Sequence, residues 1–309
     1  MTAPSCFALI EAGGTKLVLG LARAEGDGAG REILARHRLP TTTPAETLGA
    51  AVDWFKAQGT AIAAIGIASF GPLALDRGAA NWGHITRTTK PGWSHTDLVG
   101  PFARAFGCPV DIETDVNGAA LAEARWGAGQ GLGSLLYLTV GTGIGGGFVS
   151  GGGLLHGLSH PEMGHIRMPR HPLDADFAGS CPFHRDCLEG LASGPAVIAR
   201  WGCPLSELPP GHPGAAIIGW YLGQAVVSFQ AVMEPARIVL GGGVMATPGL
   251  LETVRAEAAQ AGRGYFVGDP AEVVVGPALG ADSGLLGALA LALRAVSPPA
   301  AGAGRGCAG

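Results

Sequence analysis

The sequence is poor in charge and in cysteine, and it has no basic run. Only 14% of its 309 residues are charged and the net charge is −4, so the clustered positive surface of a nucleic-acid binder is missing. Low charge together with 47% apolar residues is far from a disordered composition. The longest apolar stretch, Gly284 to Leu293, is about half of the roughly 20 residues a spanning helix needs. The N-terminus lacks a basic flank, and Glu11 interrupts its first apolar run, which argues against a signal peptide. A cytoplasmic protein with no membrane and no nucleic-acid partner is expected. Six cysteines are too few for a disulfide scaffold, so reduced thiols are expected. Cys6, Cys108 and Cys307 are scattered, whereas Cys181 and Cys187 are closely spaced. The pattern GxxxxGK[ST] is also absent, which excludes a Walker P-loop.

Glycine is abundant. The 53 glycines cluster between apolar runs rather than forming a repeat, as turns do where backbone must approach something closely. Strands are predicted at 7–10, 17–22 and 33–39, a helix at 43–58, and a buried strand at 62–69. A helix at 96–106, a strand at 110–112 and an alanine-rich helix at 118–126 follow. The pattern then restarts. A strand at 134–140, a turn at 141–147 and a strand at 148–149 precede an irregular insertion, 157–189, rich in His, Pro and Cys. A helix at 217–233, a strand at 238–240 and a helix at 283–296 complete the chain; from Ser297 onward the composition predicts disorder. Strand, Gly/Thr turn, strand thus occurs twice, through Gly13-Gly14-Thr15-Lys16 and through Gly141-Thr142-Gly143. That repetition predicts a duplicated core of two lobes around a cleft.

A polyphosphate needs several backbone N–H groups aimed into one concavity, which glycine turns provide. Either turn alone reads equally well as a hairpin; together, in matching contexts, they point to phosphate binding. A third cluster, Gly241-Gly242-Gly243, follows a strand and is placed to lie against an adenosine, although a plain strand-to-helix turn reads nearly as well. Asp115 is a candidate base for in-line phosphoryl transfer, but local sequence favours Asp115 or Asn117 as the cap of the alanine-rich helix. Cys181, His184 and Cys187 stand at three-residue steps, the spacing and chemistry of a tetrahedral zinc site. The fourth ligand is open among His165, His171, His160 and His156. Glu162, His165 and Glu189 near that loop are of the type that binds vicinal sugar hydroxyls; solvated loop charges are the plainer reading.

Taken together, Glu11-Ala12-Gly13-Gly14-Thr15-Lys16, Thr114-Asp115-Val116-Asn117, the run Leu138–Gly147 and Glu162-Met163-Gly164-His165 resemble the ROK (repressor, open reading frame, kinase) family. The similarity runs from about Phe7 to Val296. The loop Cys181–Gly190 is most similar to that of the bacterial fructokinase branch. The segment Trp82–Trp93 departs from that branch, carrying Trp82, Arg87 and Thr89 where Tyr, another residue and Pro are usual, and Thr114 stands where the family commonly has an amide.

The resemblance implies an α/β, actin-like (ribonuclease-H-like) fold with two lobes around a nucleotide and sugar cleft. The small lobe, 1–117, would be completed by the helix 283–296, and the large lobe, 118–282, would carry the zinc loop 157–190. It implies Asp115 as the base that accepts the sugar hydroxyl's proton. Both Gly/Thr turns would cradle the ATP phosphates, with Thr142 in contact, and Pro195 and Gly241-Gly242-Gly243-Val244-Met245 would line the adenosine. His165, Cys181, His184 and Cys187 would bind structural zinc, and Glu11 would hold Mg2+ through water. Asn117, Glu162, His165 and Glu189 would face the sugar. The expected activity is ATP-dependent phosphorylation of D-fructose, at the 6-hydroxyl, by a homodimer. The competing expectations are a kinase for glucose, mannose or an amino sugar, a sugar-sensing repressor and an actin-like ATPase. Repressors of this family carry a helix-turn-helix ahead of the first turn, whereas only six residues precede the first expected strand of this sequence. An actin-like ATPase has no use for the Cys/His loop.

Overall fold

The computed structural model describes residues 5–297; the expected disordered tail, Ser297 apart, and Cys307 lie outside them. Three antiparallel strands open the chain, β1 (Ser5–Ala12), β2 (Lys16–Glu25) and β3 (Ala29–Pro40). Helix α1 (Pro44–Ala57) leads to β4 (Ala64–Ser69), and α2 (Gly100–Phe106) leads to β5 (Val110–Thr114); β1, β4 and β5 are parallel neighbours. Every residue of β4 is buried, as a strand covered on both faces requires. Edge strand β3 is exposed along most of its length and carries Arg31, Glu32, Arg36 and Arg38, charges that oppose edge-to-edge pairing.

After α3 (Asp115–Trp126) the same plan recurs. Strands β6 (Ser134–Val140), β7 (Ile144–Ser150) and β8 (Gly153–Leu154) form an antiparallel meander. Helices α4 (Leu188–Ala192), α5 (Gly194–Trp201) and α6 (Gly214–Met233) then lead to β9 (Ile238–Gly241), parallel to β6. Helices α7 (Leu250–Gly262) and α8 (Pro270–Val273) precede β10 (Val274–Val275), and α9 (Ser283–Val296) closes the described chain. The two five-stranded sheets have orders β3-β2-β1-β4-β5 and β8-β7-β6-β9-β10. Position for position these are the same sheet, so the predicted duplication is present.

Helices α3 and α9 lie between the sheets, sharing one buried cluster with side chains of β1, β4, β6 and β9. Helix α9 is apolar around most of its circumference and buried from Leu285 to Leu293, as a helix packed on several sides must be. Its approach to α3 depends on glycine, because a Cβ on Gly287 would stand 2.4 Å from the backbone carbon of Gly118. The boundary expected at 117 falls inside α3.

Several elements differ from expectation. The helix predicted from 96 starts at Gly100, because the Asp97 carboxylate accepts from the N–H groups of Val99 and Gly100 at 3.1 and 2.7 Å and holds a turn there. The glycine turn predicted over 141–147 ends at Gly143, and Gly145-Gly146-Gly147 belong to β7. Helices α4, α5, α7 and α8 were not expected. Helix α6 starts earlier than predicted and is long and apolar enough to cross a membrane by length and composition; 56% of its apolar window is buried inside the protein, against α4 and α7, as in a core helix.

Candidate active site

Asp115 is the first residue of α3, and the helix is capped by the residue before it. Thr114 is extended and its side chain accepts from the Asn117 N–H at 3.2 Å. The expectation that Asp115 or Asn117 caps the helix is therefore corrected. The Asp115 carboxylate accepts from the Val116 N–H at 2.9 Å. Strand β7 lies directly beside this turn, since a Cβ on Gly147 would stand 2.5 Å from the Val116 carbonyl oxygen; glycine in a strand interior often marks such an approach. Burial, reinforced by the negative charges of Glu11 and Glu162, pushes the Asp115 carboxyl up to about 6. Burial likewise raises Glu11, against the opposing pull of Lys16 and Arg38. Asp115 on α3 thus feels one acid from β1 and one from the insertion.

Asn117 does not join them. It is 1% exposed, and its amide donates to Glu113 at 3.0 Å, so the expectation that it faces a sugar is replaced by a role behind Asp115. Burial alone would raise Glu113. The His156 hydrogen bond, the nearby Arg294 and the Asn117 amide outweigh it and leave Glu113 below its usual range. Sequence reasoning missed this network; the visible signal was Arg294, a charge near the end of an otherwise apolar helix. It also missed Glu123, fully buried, which accepts from Ala128 N, Leu279 N and Ser283 Oγ at 2.8, 3.0 and 2.9 Å and fixes the approach to α9.

The first Gly/Thr turn is shaped by Gly13 N donating to the Lys16 carbonyl at 2.9 Å. Thr41 braces it, donating from Oγ1 to the Gly13 carbonyl at 2.9 Å and from N to the Thr15 carbonyl at 3.0 Å. The buried Trp93 in turn donates from Nε1 to the Thr42 carbonyl at 2.8 Å. Gly14, Thr15 and Lys16 remain exposed. At the second turn Thr142 is exposed, Gly194 N donates to the Gly141 carbonyl at 2.7 Å, and Ile144 N donates to Glu189 at 2.9 Å. The third turn, Gly241-Gly242-Gly243, leads into a short 3-10 turn, 244–246. It is adjacent to the second because Thr139 of β6 pairs with Gly241 of β9. With Pro195 exposed in the first turn of α5, both clusters and Met245 gather at the carboxyl ends of β6 and β9, where ligands of α/β sheets bind.

The Cys/His spacing closes in space. One ligand atom each from His165, Cys181, His184 and Cys187 lies within 4.8 Å of the others. His165 Nδ1 is 3.5 Å from Cys187 Sγ and 3.8 Å from Cys181 Sγ, and His184 Nδ1 is 3.8 Å from Cys181 Sγ. A zinc tetrahedron with bonds of about 2.1 Å to nitrogen and 2.3 Å to sulfur has edges of roughly 3.3–3.8 Å, which these three separations match, and donor chemistry of two thiols and two imidazoles suits that ion. The fourth position is taken by His165; His171, His160 and His156 contact Leu173, Leu73 and Glu113 instead. His165 turns Nδ1 to the thiols, leaving Nε2 for any other contact. Glu162 and Glu189 flank this cluster in sequence, and Glu189 ties it to the second glycine turn.

The ROK family model matches residues 7–295. A fructokinase of Zymomonas mobilis subsp. mobilis is 51% identical over 296 residues, covering 94% of this chain and 97% of that protein. A fructokinase of Pediococcus pentosaceus is 40% identical over 288 residues, covering 93% and 97%. The crystal structure of a ROK hexokinase from Thermus thermophilus superimposes with a TM-score of 0.73 at 30% identity, covering 94% of this chain and 98% of that one. The paired turns, the acid at the head of α3 and the duplicated sheets are accordingly those of an actin-like fold, and the chain belongs to the ROK family.

Proposed function

We propose that the protein is an ATP-dependent fructokinase that transfers the γ-phosphoryl group to a hydroxyl of D-fructose, the 6-hydroxyl, with Asp115 as base. The observation that carries this is Asp115 itself, a partly buried carboxylate held up to about 6 beside two exposed glycine turns and two further acids. Phosphoryl transfer needs little covalent help; it needs an aligned hydroxyl, a proton acceptor and neutralisation of phosphate charge. Asp115 accepts the hydroxyl proton as the oxygen attacks phosphorus. N–H groups of Gly13–Lys16 and Gly141–Gly143 cradle the phosphates, with Thr142 donating, while Pro195 and Gly241–Met245 line the adenosine. Glu11 would hold Mg2+ through water, and the ion would supply neutralisation of phosphate charge.

Glu162, His165 through Nε2 and Glu189 orient the sugar. His165, Cys181, His184 and Cys187 hold zinc, which with four protein ligands serves structure rather than chemistry. Lobes 1–117 with 283–296, and 118–282, close to exclude water, so that the sugar rather than water accepts phosphate. The same reading makes the protein a cytoplasmic homodimer.

The fructose assignment is supported by the fructokinase relatives and by the Cys181–Gly190 loop. The test is ADP release by the purified protein with ATP, Mg2+ and a panel of fructose, glucose, mannose and amino sugars. Fructose is expected to give the highest kcat/KM, by about tenfold or more, a margin of roughly 1.4 kcal/mol. Activity on another sugar with none on fructose overturns the substrate, and sugar-independent ADP release overturns the kinase.

A further inference from the structure

His160 lies five positions before His165 but takes no part in the Cys/His cluster. Its side chain is 6% exposed. Nε2 accepts from the Leu73 N–H at 3.1 Å, and Nδ1 stands 3.5 Å from Glu162 Oε1. An imidazole nitrogen that accepts from an amide carries a lone pair, so the proton of the neutral ring is on Nδ1, the edge that faces Glu162. Leu73 follows β4 in the N-terminal half and is itself buried, so its N–H needs a partner. The ring also runs along the turn before it: a Cβ on Gly71 would be 3.6 Å from both Cε1 and Nε2 of His160. Glu162, by contrast, has a side chain 51% exposed, and the 3.5 Å approach of His160 Nδ1 is the one polar side-chain contact its carboxylate makes among the described residues. A half-exposed carboxylate that must meet particular hydroxyls binds better when a neighbour fixes its direction.

We infer that His160 is a positioning residue of the sugar site, joining the 71–73 turn of the N-terminal half to Glu162 of the insertion and aiming that carboxylate at the acceptor. This rests on the reading that Glu162 faces the sugar. A merely structural histidine would use only the Leu73 contact; the second contact, made by the opposite nitrogen, separates the two roles.

The two edges can be tested separately. In His160→Gln the amide tip reaches the Nε2 position and still accepts from Leu73, but the donor to Glu162 is lost. Its melting temperature is expected to stay near wild type while the KM for fructose rises about tenfold, with kcat and the KM for ATP within about twofold; tenfold is the order of one polar contact to a charged group. In His160→Asn the amide nitrogen falls near the Nδ1 position, so part of the fructose affinity is recovered relative to His160→Gln while melting drops. Glu162→Gln is the reference and should raise the fructose KM at least as far. Wild-type fructose KM in both His160 variants, alongside a raised KM in Glu162→Gln, overturns the inference and leaves the sugar site standing. Wild-type KM in Glu162→Gln removes the role of Glu162 and the inference with it, while fructose turnover by the unmodified protein still stands as its own test.

Discussion

Asp115 sits where a helix start, two neighbouring acids and a covering strand meet, and each has a measurable consequence. As a base it must be ionised, so kcat/KM is expected to fall about tenfold per pH unit below its value of about 6, with a plateau above. The effect on stability has the opposite sense. Its folded value is raised above the unfolded one, so its contribution is fully present below the unfolded value near 3.8 and is lost as pH rises through about 6. Asp115→Asn should therefore melt higher than wild type at pH 7–8 and equal to it at pH 4, as at functional sites that store strain. Thermal melting across that range checks the sign; a variant less stable at pH 8 contradicts it. Asp115 was legible in the sequence as a candidate, but its freedom from capping was not. Thr, Asp and Asn all cap helices, and only the extended conformation of Thr114 shows which one does.

At the scale of elements, the glycine run after β6 serves two purposes. Gly141 and Gly143 belong to the turn, whereas Gly147 lies in β7 and lets the strand reach the first turn of α3. Composition could not separate these uses, because glycine in sequence reads as a turn and close approach of two backbones is a tertiary property. Gly147→Ala places a methyl against backbone and is expected to lose about 1–3 kcal/mol of stability, with kcat falling more than either KM because Asp115 shifts. Wild-type kcat would show that the contact does not position Asp115. The Cys/His loop was the most legible element, since its spacing alone defined three donors; spacing left four histidines open for the fourth, the family resemblance pointed to His165, and the fold brings that one to the other three. Purified protein should contain about one zinc per chain, and Cys181→Ser should lose it together with melting temperature and sugar affinity. Metal analysis without zinc ends that claim.

At the scale of the molecule, two copies of one sheet plan place two glycine turns at the same position of each half. This was readable because a repeated strand–turn–strand survives in local sequence. Helices α4, α5 and α7 were not readable. Helix α4 is only five residues long, α5 is eight and opens on Gly194-Pro195, and α7 follows the third glycine turn with few buried residues, Leu250, Val254 and Ala258, to set a period. The position of α9 was expected from the family resemblance rather than from its own residues: the helix packs on β1 and β4 near the start of the chain and on α3 at the site, as a completion of the N-terminal half requires. The most direct measurement is fructose-dependent ADP release by wild type beside Asp115→Asn at saturating ATP and Mg2+, with nucleotide binding measured in parallel. The expected result is fructose-stimulated release in wild type, a loss of about 10²–10⁴-fold in kcat in the variant, and unchanged ATP affinity. Near-normal turnover in Asp115→Asn, or no stimulation of wild type by fructose, contradicts the account.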